Sequence, residues 1–195
     1  MKAIKLNLEN LSFNRDWVFS ALLFIVVVAI VNRITPPMVD EVFNLVISKN
    51  RVNIVDIHQP RDIETSKVVK IDRIDLTDKS RFRHPKLGDI GFTDDFFVDV
   101  DAPFLVKKAG DYTFYVGSDD GFELSVDGRK LCEWTHDRPL TTDACHVQLN
   151  EGTHNFKLTY FQGFGNSGLV MSYAFTSDGK QYTAGDDSKY IKFLH

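Results

Sequence analysis

The stretch G-D-Y-T-F-Y-V-G-S-D-D-G-F-E-L-S-V-D-G, residues 110–128, restricts the fold of this chain more than any other. Residues 112–116 and 122–126 alternate large apolar with small or polar side chains, which is the period of a half-buried strand. Between them lies the acidic turn Ser118-Asp119-Asp120-Gly121, and Asp127-Gly128 adds a second tight-turn signal. The segment predicts a hairpin in an antiparallel sheet. Sixteen Phe and six Tyr, set in short alternating runs along the chain, extend that reading to an all-β antiparallel sandwich.

Two adjacent carboxylates repel each other unless water or a cation absorbs the charge. Calcium suits Asp119 and Asp120, because it collects oxygens from carboxylates, carbonyls and water. A solvated Asx turn is the plainer alternative. The later loop Gln162-Gly163-Phe164-Gly165-Asn166-Ser167-Gly168 offers carbonyls on a glycine-rich backbone and the side-chain oxygens of Gln162 and Asn166, although such a loop also serves as a simple turn. Trp134 and His136 fall at a strand end near one end of the sandwich. With Phe164 and Gly165 they are the candidate ligand contacts, since exposed aromatics stack on sugar rings, while a Trp there also suits a core.

The two cysteines, Cys132 and Cys145, flank a polar loop. If their segments are neighbouring strands, an oxidising compartment lets them bridge. Free buried thiols are a second reading. A zinc site with His136 or His146 is a third, but it lacks the spacing of structural zinc motifs.

An apolar run broken only by Ser20 covers residues 17–31 and reaches bilayer length if 32–34 enter the interface. A-I-V-N-R-I-T offers no A-x-A cleavage site, so an uncleaved transmembrane anchor over 17–35 is expected, with a cleaved signal or a core helix as the alternatives. Lys2, Lys5 and Arg15 precede the run and only Arg33 follows closely, which favours a cytoplasmic segment 1–16 and a main domain in the periplasm or outside the cell. Pro36-Pro37 stops the helix. Val39, Val42, Phe43 and Val46 then recur at helical spacing, which predicts a short amphipathic helix over 37–49 within a juxtamembrane helix and linker at 36–60. The sandwich is assigned to 61–195. Residues 52–57, 67–76, 96–100, 104–107, 130–134, 145–149, 156–161, 169–175 and 190–194 read as strands, with 145–149 and 156–161 forming another hairpin. The basic run 81–86 reads as solvated surface.

The motifs G-D-Y-T-F-Y-V-G-S-D-D-G-F-E-L-S-V-D-G, F-L-V-K-K-A-G upstream and L-N-E-G-T-H-N-F-K-L-T-Y-F downstream resemble the protective-antigen, or PA-14, domain family over roughly residues 85–176. The resemblance implies a β-sandwich of the kind found in toxins, adhesins and lectins and as inserts in glycosidases. Its lectin members hold calcium through two consecutive aspartates joined by a cis peptide and through oxygens of a second loop, and sugar hydroxyls complete the shell. Asp119 and Asp120 match the aspartates. Residues 162–168 fall at the second loop, with Gln162 and Asn166 both available where many members carry Asn or Asp.

The expected function is a membrane-anchored carbohydrate-binding module using calcium. The alternative is an accessory subunit of a membrane assembly whose sandwich contacts partner proteins. Catalysis is not expected: glycosidic carboxylates stand about 5 to 9 Å apart across a cleft, and adjacent aspartates cannot flank a bond from opposite sides. A net charge of -4 without a basic stripe disfavours nucleic acid.

Overall fold

A helix that is apolar on every side has no polar face to turn to water. Residues Arg15–Ile34 form such a helix, α1, of 20 residues. At 1.5 Å per residue it is about 30 Å long, the thickness of a bilayer core. It has the length and composition of a membrane anchor or a signal sequence. The computed structural model describes residues 15–35 and 38–194. Lys2, Lys5, most of the expected cytoplasmic segment and the Pro36-Pro37 stop lie outside them.

A separate compact body begins at Met38. Its strands are β1 (Phe43–Asn50), β2 (Ile63–Ile71), β3 (Asp75–Leu76), β4 (Arg83–His84), β5 (Gly88–Asp89), β6 (Phe96–Val106), β7 (Gly110–Asp119), β8 (Phe122–Val126), β9 (Arg129–Trp134), β10 (Thr141–Leu149), β11 (Gly152–Gln162), β12 (Gly168–Phe175), β13 (Gln181–Thr183) and β14 (Ile191–Phe193). One sheet runs β2-β1-β6-β11-β8-β9 with β14 also on β6, and the other runs β10-β7-β12-β13 with β3 also on β12. Every pairing within them is antiparallel. Period-two side chains from both layers meet between them: Leu45, Val98, Leu124 and Leu158 from one, Phe114, Val116, Met171 and Tyr173 from the other, all fully buried. Their removal from water is the main favourable contribution to folding.

The sandwich agrees with the sequence reading, but several local expectations are corrected. β7 and β8 are not a hairpin, because they belong to different sheets and the chain crosses the core between them at Asp120-Gly121. β10 and β11 likewise lie in opposite layers. Of the helix expected over 37–49, the described residues 38–49 contain none, because residues 43–50 form β1 between β2 and β6. Phe43, Leu45 and Ile47 are its buried face, so period two won over the weaker helical spacing. Residues 38–60 of the expected juxtamembrane segment thus supply an interior strand of the larger sheet. Residues 52–57 are a loop, and Ile54 and Ile57 cover Phe97 and Phe161 on that sheet's outer face. The segments expected at 96–100 and 104–107 join in one long strand, β6, which ends at Val106. Pro103, without an N–H to give, sits where the neighbour of β6 on one side changes from β1 to β14. In the basic run, Arg83 meets Asp78 at 3.4 Å and Lys86 meets Asp72 at 2.8 Å, while Phe82 and His84 are buried.

Candidate functional site: an acid pair between three loops

β7 ends at Asp119, and the peptide bond from Asp119 to Asp120 is cis. Pairing registers gather three connections at this end of the sandwich. Gly168 lies opposite Asp119, Thr141 opposite Ser118, and Trp134 opposite Phe122. The acid pair is thereby flanked by residues 135–140 and by residues 163–167. Gly121 makes the crossing feasible, because a Cβ there would stand 2.4 Å from the Phe161 ring and 2.6 Å from the Trp134 carbonyl oxygen.

A turn that merely met solvent would leave its carboxylates wet, yet Asp119 is 8% and Asp120 4% exposed. Gly163 N–H donates to Asp120 Oδ2 at 2.8 Å. Backbone N–H groups of Leu140 and Arg138 reach Asp119 and Asp120 respectively. Burial nevertheless pushes the Asp119 carboxyl up, against the Leu140 N–H and the Arg138 charge. Burial also pushes Asp120 up to about 6, with the Asp119 charge adding to it. Among the described residues, no Lys, Arg or His makes a salt bridge to either aspartate. Two buried carboxylates without a salt-bridging side chain form an arrangement that a bound cation stabilises. The donors available are all oxygen, which suits calcium and fits the expected ion.

Tyr160 anchors the pair from below. Its buried hydroxyl lies 2.5 Å from the Asp119 carbonyl oxygen and 2.8 Å from Gln162 Oε1, and its single proton goes to one of them. Burial, then the Asp120 charge, keeps that phenol protonated well above its usual range. Gln162 itself is buried, and its Nε2 donates to the Asn166 carbonyl oxygen at 2.8 Å. Its Nε2 braces the loop, and its Oε1, the atom expected as a metal ligand, faces the Tyr160 hydroxyl. Asn166 is exposed, and its side chain makes no hydrogen bond among the described residues.

The expected ligand contacts form part of the rim. Phe164 is 88% exposed and Trp134 44%, and the Arg138 guanidinium lies 5.1 Å from the centre of the Trp134 ring. Gly165 is in the left-handed region at φ 101°. His136 Nδ1 is 3.1 Å from Asp56 Oδ2, which ties residues 51–62 to the same end. A cleft of about 390 Å³ opens beside the pair, lined by Asn53, Ile54, Val55, Asp94, Asp95, Asp137, Gly163 and Phe164. Cys132 and Cys145 are joined as a disulfide, with Cα atoms 5.7 Å apart, so neither is a free thiol or a zinc ligand. The bond links β9 to β10 across the two layers at the base of residues 135–140.

Tyr160, Arg138 and Leu140 are not among the expected site residues, and Gly163 is expected only as part of a flexible loop offering carbonyls, not as an N–H donor. Three act through backbone N–H groups, which leave no side-chain signature. Tyr160 reads as one more inward residue of a strand.

A family model for the PA14 domain matches residues 85–189. Among solved structures, the PA14 domain of the MpAFP antifreeze protein is similar at a TM-score of 0.59 and 14% identity, over 77% of this chain and 90% of that one. The PA14 sugar-binding domain from an RTX adhesin gives 0.56 at 15% identity, over 72% and 93%. The epithelial adhesin 6 A domain from Candida glabrata, solved with Galb1-3GlcNAc, gives 0.53 at 13% identity, over 79% and 87%. No curated protein sequence matches the chain.

Proposed function

Since the chain belongs to the PA14 domain family, we propose that its body is a non-catalytic carbohydrate-binding module in which Asp119 and Asp120 hold a calcium ion. The buried acid pair without a salt-bridge partner carries this reading. Asp119, Asp120, the exposed Asn166 and loop carbonyl oxygens would hold the ion, which supplies open coordination positions for sugar hydroxyls. Phe164 and Trp134 offer flat apolar faces for the ring above it. Two of the similar structures are a sugar-binding domain and an adhesin domain solved with a disaccharide, which supports the same reading. α1 acts as a membrane anchor, with the body periplasmic or extracellular, where the Cys132–Cys145 bond is stable. Residues 43–50 contribute β1 to the sandwich, so they offer the accessory-subunit alternative no amphipathic helix for a partner.

A glycan array probed with the full chain in detergent tests the proposal. Binding in calcium that a chelator removes and that Asp119→Asn with Asp120→Asn abolishes is expected. Glycan binding that survives both treatments would refute the calcium-bridged mode.

A further inference from the structure

A second group of ligating side chains sits where β8 and β9 meet residues 51–62. Glu123 and Glu133 lie directly opposite each other across β8 and β9. Like charges in such a position repel. Lys130 Nζ approaches one oxygen of Glu133, Oε1, at 2.5 Å. Its other oxygen, Oε2, faces His58, whose Nε2 lies 2.8 Å from it and 3.8 Å from Glu123 Oε2. The three ligand atoms are all within 4.8 Å of one another, the one such group of three among the described residues.

The imidazole distinguishes this set from the acid pair. Calcium prefers oxygen alone, whereas a nitrogen with two carboxylate oxygens suits zinc and its neighbours. Tetrahedral bonds of about 2.0 to 2.2 Å hold neighbouring ligand atoms roughly 3.3 Å apart. The observed separations of 2.8 and 3.8 Å straddle that value. His58 is also held in place independently of the glutamates. Its backbone N–H donates to Asp56 Oδ1 at 2.7 Å, and the Ile57 backbone N–H donates to the Thr135 carbonyl oxygen at 2.9 Å. The set thus joins a fixed loop to a fixed strand pair.

We propose that His58, Glu123 and Glu133 bind a divalent ion of the zinc class, which fastens residues 51–62 to β8 and β9. Asn53, Ile54 and Val55 of that loop line the cleft beside Gly163 and Phe164, so the ion fixes one wall of it. The site does not depend on the carbohydrate reading.

The test is a cobalt titration of the untagged full chain in detergent, followed by visible absorption, with calcium present to satisfy the acid pair and zinc as competitor. One cobalt per chain, displaced by zinc, is expected. His58→Ala and the pair Glu123→Gln with Glu133→Gln should each weaken it at least about tenfold, while Asp119→Asn with Asp120→Asn leaves it unchanged. These side chains lie at the surface, and circular dichroism verifies the fold of each variant. Absence of cobalt binding, or binding that both variants retain, would overturn the site.

Discussion

At the scale of single residues, burial decides how the carboxylates of the acid pair behave. Asp120 is raised by burial to about 6 in the metal-free protein. The charged form is therefore disfavoured by folding. Stability from this group is fully present below the unfolded value of 3.8 and is lost as pH rises through about 6. A shift of this size corresponds to at most about 3 kcal/mol. In chelator, the midpoint of thermal unfolding should rise as pH falls from 7.5 to 5, and millimolar calcium should flatten or reverse the trend, because protons then compete with the ion. His154 acts in the same direction: burial opposes its charge, but hydrogen bonds to Asp127 and the Asn150 carbonyl raise it. Asp120→Asn separates them, since it should remove the Asp120 share of the slope and leave those of Asp119 and His154. An unchanged slope in this variant would show that Asp120 is not a buried carboxylate in solution. The candidate aspartates were legible as residues because adjacency is a sequence property. Their burial was not, because Ser118-Asp119-Asp120-Gly121 has the composition of an exposed turn.

At the scale of elements, alternation identified strands but not their partners. Tyr112, Phe114 and Val116 and then Phe122, Leu124 and Val126 present the same pattern whether the two strands pair or face each other across a core. The chain chose the second arrangement, and that choice carries the acid pair into the interior. Residues 39–47 hold apolar side chains at both helical and strand spacing, and their β-branched content together with neighbours β2 and β6 decided for a strand. Two substitutions in β1 separate the alternatives. Ile47→Ala removes a fully buried side chain and should destabilise the protein by about 2–5 kcal/mol. Val46→Ala, at a site 39% exposed, should change it by less than about 0.5 kcal/mol. Denaturant titration of both variants measures the difference, and equal effects would contradict the assigned strand. The amide of Gln162 was visible in the sequence, but the bond from its Nε2 to the Asn166 carbonyl and the approach of its Oε1 to Tyr160 depend on the folded loop.

At the scale of the whole molecule, the chain combines a bilayer-length helix with a sandwich whose oxygen-rich end is built from three loops. Both parts were legible in outline, the helix from an apolar run broken only by Ser20 and the sandwich from short alternating segments and Gly punctuation. The boundary was not, because β1 lies only a few residues beyond Pro37 and had no hairpin signal to announce it. The central claim is that the buried acid pair is a calcium site, and calorimetric titration of the full chain in detergent with calcium measures this most directly. One ion per chain is predicted, with a dissociation constant of about 10⁻⁴ to 10⁻³ M or tighter, and no binding heat in Asp119→Asn with Asp120→Asn. The same calcium heat in wild type and double variant, or none in wild type, would contradict the account.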